Sequence, residues 1–190
     1  MTVTIKDTLK IYWRSVRNHR LSLFFVALGI TTGSIFSILH PIFYKKFFDI
    51  LTENQTPDIL YPKLIALLFI MLGLSVGVWL FYRIADFGNN AFQTSVKADL
   101  KEHAFSALLH HSHAFFANSF AGALVRRVHR LSTDGFEVFA DKMLWTLLPL
   151  IVHLTGIIIV LGFTAPVFAV AIIIWFIVFV SVQSALSIWK

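Results

Sequence analysis

Cysteine is absent from all 190 residues, which excludes a disulfide framework, a thiol nucleophile and thiolate metal sites, and leaves the redox compartment unmarked. Acid is scarce. Ten Asp and Glu stand against sixteen Lys and Arg, for a formal net charge of +6 at pH 7. Sequence signatures of catalysis are missing too: no Gly-x-x-x-x-Gly-Lys-[Ser/Thr] phosphate loop, no His-Glu-x-x-His and no Gly-x-Ser-x-Gly. The chain is therefore expected not to be an enzyme, with no catalytic residue, no metal ligand set and no cofactor of its own. Asp134, Glu137 and Asp141 lie along one stretch with no matching acidic helix and read as a solvated face. His103, His110, His111, His113 and His129 offer imidazole spacing for a metal, but no carboxylate or cysteine accompanies them, so they read as polar residues of a loop that meets a partner.

What the sequence holds in quantity is apolar surface. At 57% hydrophobic residues with 20 phenylalanines, its solvent is a bilayer, because a soluble domain of this size cannot bury so much. The basic residues are spread by side of a membrane rather than gathered in one aromatic-interleaved patch, so nucleic acid is not expected as a partner.

Residues 5–17 place Ile5, Leu9, Tyr12 and Val16 on one helical face and Lys6, Lys10, Arg14 and Arg17 largely on the other, which predicts an amphipathic interfacial helix within residues 1–20, with Tyr12 and Trp13 in the headgroup layer. Four apolar stretches follow, at about 21–44, 64–84, 143–161 and 167–188, each long enough at about 1.5 Å per residue to cross a core about 30 Å thick. Asn54, Pro57 and Pro62 mark 45–63 as an outer loop, and Gly162–Pro166 as a tight outer hairpin. Pro149 is expected to kink the third span. Each of the first two spans carries Gly-x-x-x-Gly, Gly29/Gly33 and Gly73/Gly77, a spacing that allows close helix packing within one subunit.

No proline lies between Pro62 and Pro149, so the second span is expected to run on as one helix of about 45–50 residues, about 70 Å long. Roughly half of it then projects from the membrane, with Phe92, Val96, Leu100, Ala104 and Leu108 as a stripe that needs helical partners. Five Lys and Arg before residue 21, seven from Arg83 to Lys142, and Lys190 fall on one side; Lys45, Lys46 and Lys63 fall on the other. By the positive-inside rule the N-terminus and the 85–142 segment are cytoplasmic. Thr31, Thr32, Ser34, Ser37, His40 and His153 are candidates for a translocation path, since polar groups at depth often line a water-filled route.

Between the second and third spans stands HHSHAFFANSFAGALVRRVHRLSTD, residues 110–134. Its order Phe115-Phe116, five residues, Gly122, one residue, Leu124, two residues, Arg127 resembles the first intracellular loop of ABC exporters. Ala117, Arg126 and Leu131 depart from that family's usual residues, and the nearest following acid is Asp134. The resemblance runs over roughly residues 8–190 and is sharpest at 108–150. It implies an all-α membrane protein of the ABC transporter type 1 fold, here the N-terminal four spans of a partial transmembrane domain (21–190), with helices 2 and 3 extended into the cytoplasm and joined by a short coupling helix. It further implies that His113, Phe115, Phe116, Asn118, Gly122, Leu124, Arg126 and Arg127 contact a nucleotide-binding domain, fused in a longer protein or separate. ATP and magnesium bind on that domain, outside this chain, and a second transmembrane subunit completes a homo- or heterodimer in the plasma (inner) membrane. The contrasting expectation is a free-standing four-span adaptor or scaffold without transport activity.

Overall fold

The computed structural model describes residues 5–53, 56–110 and 121–188, and every regular element among them is helical. In chain order they are α1 (Ile5–Asn18), α2 (Arg20–Thr52), α3 (Pro57–Leu109) and α4 (Ala121–His129). A π-helical stretch, Arg130–Gly135, then leads into α5 (Phe136–Asp141), and a second, Lys142–Leu147, into α6 (Leu148–Thr164), followed by α7 (Pro166–Ile188). Four continuous rods are long and apolar enough to cross a membrane: Arg20–Thr52, Pro57–Leu109, Gly122–Thr164 and Pro166–Ser187. The expected all-α, four-span class is therefore observed. α3, at 53 residues, is about 80 Å long, more than twice what a bilayer core requires. The segment expected to form the coupling helix lies outside the described residues.

Two element ends differ from expectation. The 45–63 segment is mostly helix: α2 continues to Thr52 and α3 begins at Pro57. Nothing after Pro41 breaks the helix, and the lysines there do not oppose it. Lys46 reaches back over the Phe43 ring at 5.4 Å, an i,i+3 contact that a helix provides. Thr52 Oγ1 donates to the Asp49 carbonyl at 2.8 Å, and the Glu53 amide joins it at 3.2 Å. Pro57 opens α3 because the first helical position needs no amide donor, and the Thr56 carbonyl accepts from Ile59 and Leu60. At Pro149 the backbone responds with the π-helical stretch just before it, where the Leu148 amide donates to the Met143 carbonyl, five residues back. A proline nitrogen cannot satisfy the carbonyl four residues earlier, and a wider turn redistributes those acceptors. The α6–α7 connection is as tight as expected, with Ala165 alone between the two helices.

The chain divides into two compact units. The first comprises Met1–Gly33 and Gly77–Pro149, and it holds a continuous core of Tyr12, Val26, Ile30, Ala85, Phe92, Val96, Leu100, Phe136, Ala140 and Leu144. α2 and α3 meet in it almost backbone to backbone. A Cβ added at Gly29 would lie 2.9 Å from the Phe81 carbonyl oxygen and 3.0 Å from the Ala85 Cβ, and one at Gly88 would lie 3.1 Å from Val26. Gly33 faces the Tyr82 ring at 3.3 Å. The second unit comprises Ser34–Val76 and Leu150–Lys190. There Gly156 receives Ile38, whose Cδ1 would be 2.5 Å from an added Cβ, while α7 leaves most of its apolar side chains exposed, Trp175 and Phe179 among them.

Gly29 and Gly33 thus sit in a helix seam, whereas nothing lies within 4 Å of a Cβ at Gly73. Gly29→Val is expected to cost about 1–3 kcal/mol through overpacking, and Gly73→Val to stay within about 0.5 kcal/mol of wild type. Unfolding of the purified variants in mixed detergent measures both, and equal losses would contradict the seam.

Candidate functional site

The first unit contains the part of α3 beyond the length of a span, and its neighbours there are α1 and residues 122–149 of the rod Gly122–Thr164, the return rod. Polar side chains at steps of four on α3 meet polar side chains at steps of four on α5. Lys97 Nζ donates to Glu137 Oε2 at 2.8 Å, and Gln93 Nε2 donates to Asp141 Oδ1 at 2.6 Å and to Asn89 Oδ1 at 3.3 Å. The partners run in opposite directions, as an antiparallel helix pair requires. Asn89 and Gln93 are buried, so the Gln93–Asp141 bond, with one charged partner, contributes about 1.5–3 kcal/mol. The part-exposed Lys97–Glu137 pair adds about 0–1 kcal/mol. Phe92 and Phe136 pack between these rungs, ring centroids 6.1 Å apart.

α1 is held against this pair at two points. Tyr12 is only 7% exposed; its ring meets Phe136 edge-on at 5.4 Å and Phe139 at 6.0 Å, and its hydroxyl donates to the Leu131 carbonyl at 3.1 Å. That carbonyl belongs to the first π-helical stretch, where i→i−4 bonding is disturbed and an outside donor is useful. Gly135 makes the room, since a Cβ there would fall 2.5 Å from the Tyr12 hydroxyl. At the other end, His19 Nε2 lies 3.1 Å from Asp99 Oδ2, and Asn18 Nδ2 donates to the same oxygen at 3.3 Å. Burial pushes the Tyr12 phenol above its ordinary value of 10.0. Tyr12 was expected in the headgroup layer beside Trp13; instead it is a protein contact, and Trp13, 68% exposed, alone points outward.

This arrangement is a cross-braced packing of α1, α3 and the return rod. The ABC transporter transmembrane region family matches residues 23–189. The chain belongs to that family. None of the curated proteins compared with it matches. Family membership and four apolar rods together make it an integral, multi-pass membrane protein and the membrane part of an ABC transporter.

Within this ABC transporter region, His113, Phe115, Phe116 and Asn118 lie outside the described residues. Gly122 opens α4 exposed, with nothing within 4 Å of an added Cβ. Leu124 is buried, in a pocket with Ala104, Ala107 and Leu108 of α3, whereas Arg126 and Arg127 are exposed. Leu124 therefore fixes the helix pair and the two arginines are its presented charges. Thr31 and Thr32 fall in the first unit, and Ser34, Ser37, His40 and His153 in the second. Ser34 is fully buried, and the others are partly buried. The cavities along α1 and the α3–α4 pair are lined by other residues. Among the described residues no group of three His, Cys, Asp or Glu could hold a metal; His103, His110 and His129 are exposed. The sequence reading passed over Tyr12 as a protein contact, Gly135, and the Gln93 and Lys97 rungs.

Tyr12→Phe keeps the ring packing and removes the donor to Leu131, so it is expected to cost about 0.5–1.5 kcal/mol at neutral pH. The folded state binds the phenolic proton more tightly than the unfolded chain, so the wild-type contribution is whole below pH 10.0 and fades as pH rises beyond it. Melts across that range should show the gap between wild type and Tyr12→Phe closing on the alkaline side; a widening gap contradicts the assignment.

Proposed function

We propose that this chain is the membrane-spanning part of an ATP-driven exporter, contributing to its translocation path and coupling it to nucleotide-binding domains. The observation that carries the reading is the length and bracing of α3 and the return rod. α3 exceeds a bilayer core by about 50 Å, and its projecting part is cross-linked to α5 by the Gln93–Asp141 and Lys97–Glu137 bonds. A pair of helices tied in this way moves as one body, and the segment that joins them, 111–120, carries the Phe115-Phe116 pair. Aromatic anchors beside exposed Arg126 and Arg127 suit a groove with an acidic rim on a partner. ATP and its magnesium bind on that nucleotide-binding domain, which is fused in a longer protein or separate, and this chain itself hydrolyses nothing.

Other features favour the same reading. Twelve of the sixteen Lys and Arg fall in the first unit, which under the positive-inside rule favours a cytoplasmic N-terminus in a plasma (inner) membrane. The apolar face that α7 leaves open, exposed from Val167 to Leu186, suits a second transmembrane subunit in a homo- or heterodimer. Thr31, Thr32, Ser34, Ser37, His40 and His153 supply the polar groups of the path. ATP shifts such a transporter only so far as it binds one conformation better than the other.

The test is ATPase activity and transport by the full-length gene product, or by this chain with its nucleotide-binding partner, in lipid. Phe115→Ala/Phe116→Ala is expected to leave hydrolysis uncoupled from transport or the assembly unstable, with the nucleotide site untouched. A chain that finds no ATPase partner and purifies alone as a stable four-span bundle would overturn the proposal and leave a membrane adaptor in its place.

A further inference from the structure

α1 does not seal the groove it borders. Between it and the return rod lies a cavity of about 400 Å³, inside the range of roughly 300–1,000 Å³ typical of ligand pockets. Its walls include Leu9, Trp13 and Val16 of α1, Leu23 at the start of α2, and Phe139 and Met143 of the return rod. The polar groups of the lining are the Tyr12 phenol, engaged with Leu131, and the Trp13 indole N–H. Leu23 and Met143 each stand where a charged segment gives way to an apolar one, so the groove opens at the boundary between headgroups and hydrocarbon. Its rim is cationic. Arg17 follows Trp13 by four residues and lies one turn along the same face of α1, Arg20 opens α2 just past the turn at His19, and Lys142 precedes Met143; all three are exposed. Of the neighbouring acids, Glu137 is ion-paired with Lys97, and Asp99 and Asp141 accept hydrogen bonds from Asn18 and Gln93; among the described residues none is paired with Arg17, Arg20 or Lys142.

We propose that the groove between α1 and the return rod is a site for one anionic phospholipid from the surrounding bilayer, its acyl chain along Leu23, Phe139 and Met143 and its phosphate at Arg17 and Arg20. An apolar trough alone would accept any lipid tail; the unneutralised arginines at its mouth select the headgroup. Trp13, an amphipathic ring at the rim, suits the glycerol level between the two. Because α1 is also fastened to Leu131 through Tyr12, a lipid wedged beside it stiffens the joint between α1 and the return rod.

The experiment is native mass spectrometry on the delipidated full chain, titrated with dioleoyl-phosphatidylglycerol, with dioleoyl-phosphatidylcholine, which has the same tails, and with inorganic phosphate. Wild type is expected to retain one phosphatidylglycerol in preference to phosphatidylcholine and to lose none to added phosphate. Arg17→Gln/Arg20→Gln should weaken phosphatidylglycerol binding by about thirtyfold and leave phosphatidylcholine unchanged. Met143→Trp, which fills the trough, should weaken both lipids. Equal retention of the two lipids by wild type, displacement by phosphate alone, or a double arginine variant that binds as wild type does would each overturn the site. Circular dichroism confirms that the variants are folded; should Met143→Trp fail that check, the arginine variant, altered only at exposed positions, decides.

Discussion

A peptide group stripped of water and left without a partner in hydrocarbon costs several kcal/mol, and most features of this chain are responses to that penalty. It makes helix the one economical backbone for a chain that is 57% hydrophobic. It also bears on three of the five prolines: Pro57 and Pro166 open α3 and α7, and Pro149 lies in α6 directly after a π-helical stretch that rearranges the orphaned carbonyls, while Pro41 and Pro62 are carried inside α2 and α3. Once backbone bonding is closed within each rod, hydrogen bonding along the main chain no longer says which rod stands beside which. That choice passes to side-chain shape and to the few polar groups that remain.

Shape decides between α2 and α3, where Gly29, Gly33 and Gly88 bring backbones into contact. Polarity decides between α3 and α5, through Gln93, Lys97, Glu137 and Asp141. Aromatic packing decides for α1, through Tyr12 against Phe136 and Phe139. The three devices differ in what they demand of sequence. A glycine seam resists an added methyl group, whereas the part-exposed Lys97–Glu137 rung accepts some exchange of partners.

Much of this was legible in the sequence. Hydropathy located the four spans, the proline-free interval foretold the length of α3, and the Phe-Phe, Gly, Leu, Arg order pointed to the family. Asn54, Pro57 and Pro62 misled because such residues commonly mark a loop, yet Pro57 is harmless at a helix start and Pro62 is carried inside α3. Tyr12 misled for a different reason. An amphipathic face looks the same whether it meets lipid or protein, and the decisive partner, Leu131, is 119 residues away. Glu137 and Asp141 looked solvated for want of an acidic partner helix, although Gln93 and Lys97 repeat their four-residue step and would have been the signal. Gly29/Gly33 and Gly73/Gly77 are identical as motifs; Ala85 and Tyr82 stand opposite the first pair, and nothing lies within 4 Å of a Cβ at Gly73.

The two π-helical stretches set the angular phase of the return rod. Its inward positions, Leu124, Val128, Ser132, Phe136, Ala140 and Leu144, recur at every fourth residue. In an α-helix four residues overshoot a full rotation by about 40°, so five such steps would carry the stripe roughly 200° around, to the opposite side. Turns closed to the fifth neighbour rotate less per residue and cancel that drift. The rod works like a vernier, with two coarse divisions keeping a period of four aligned with a period of 3.6. Deleting one residue from either stretch would shorten the rod by at most about 1.5 Å, yet swing everything after it by somewhat less than about 100°. Within Arg130–Gly135 and Lys142–Leu147 a single residue is a change of direction.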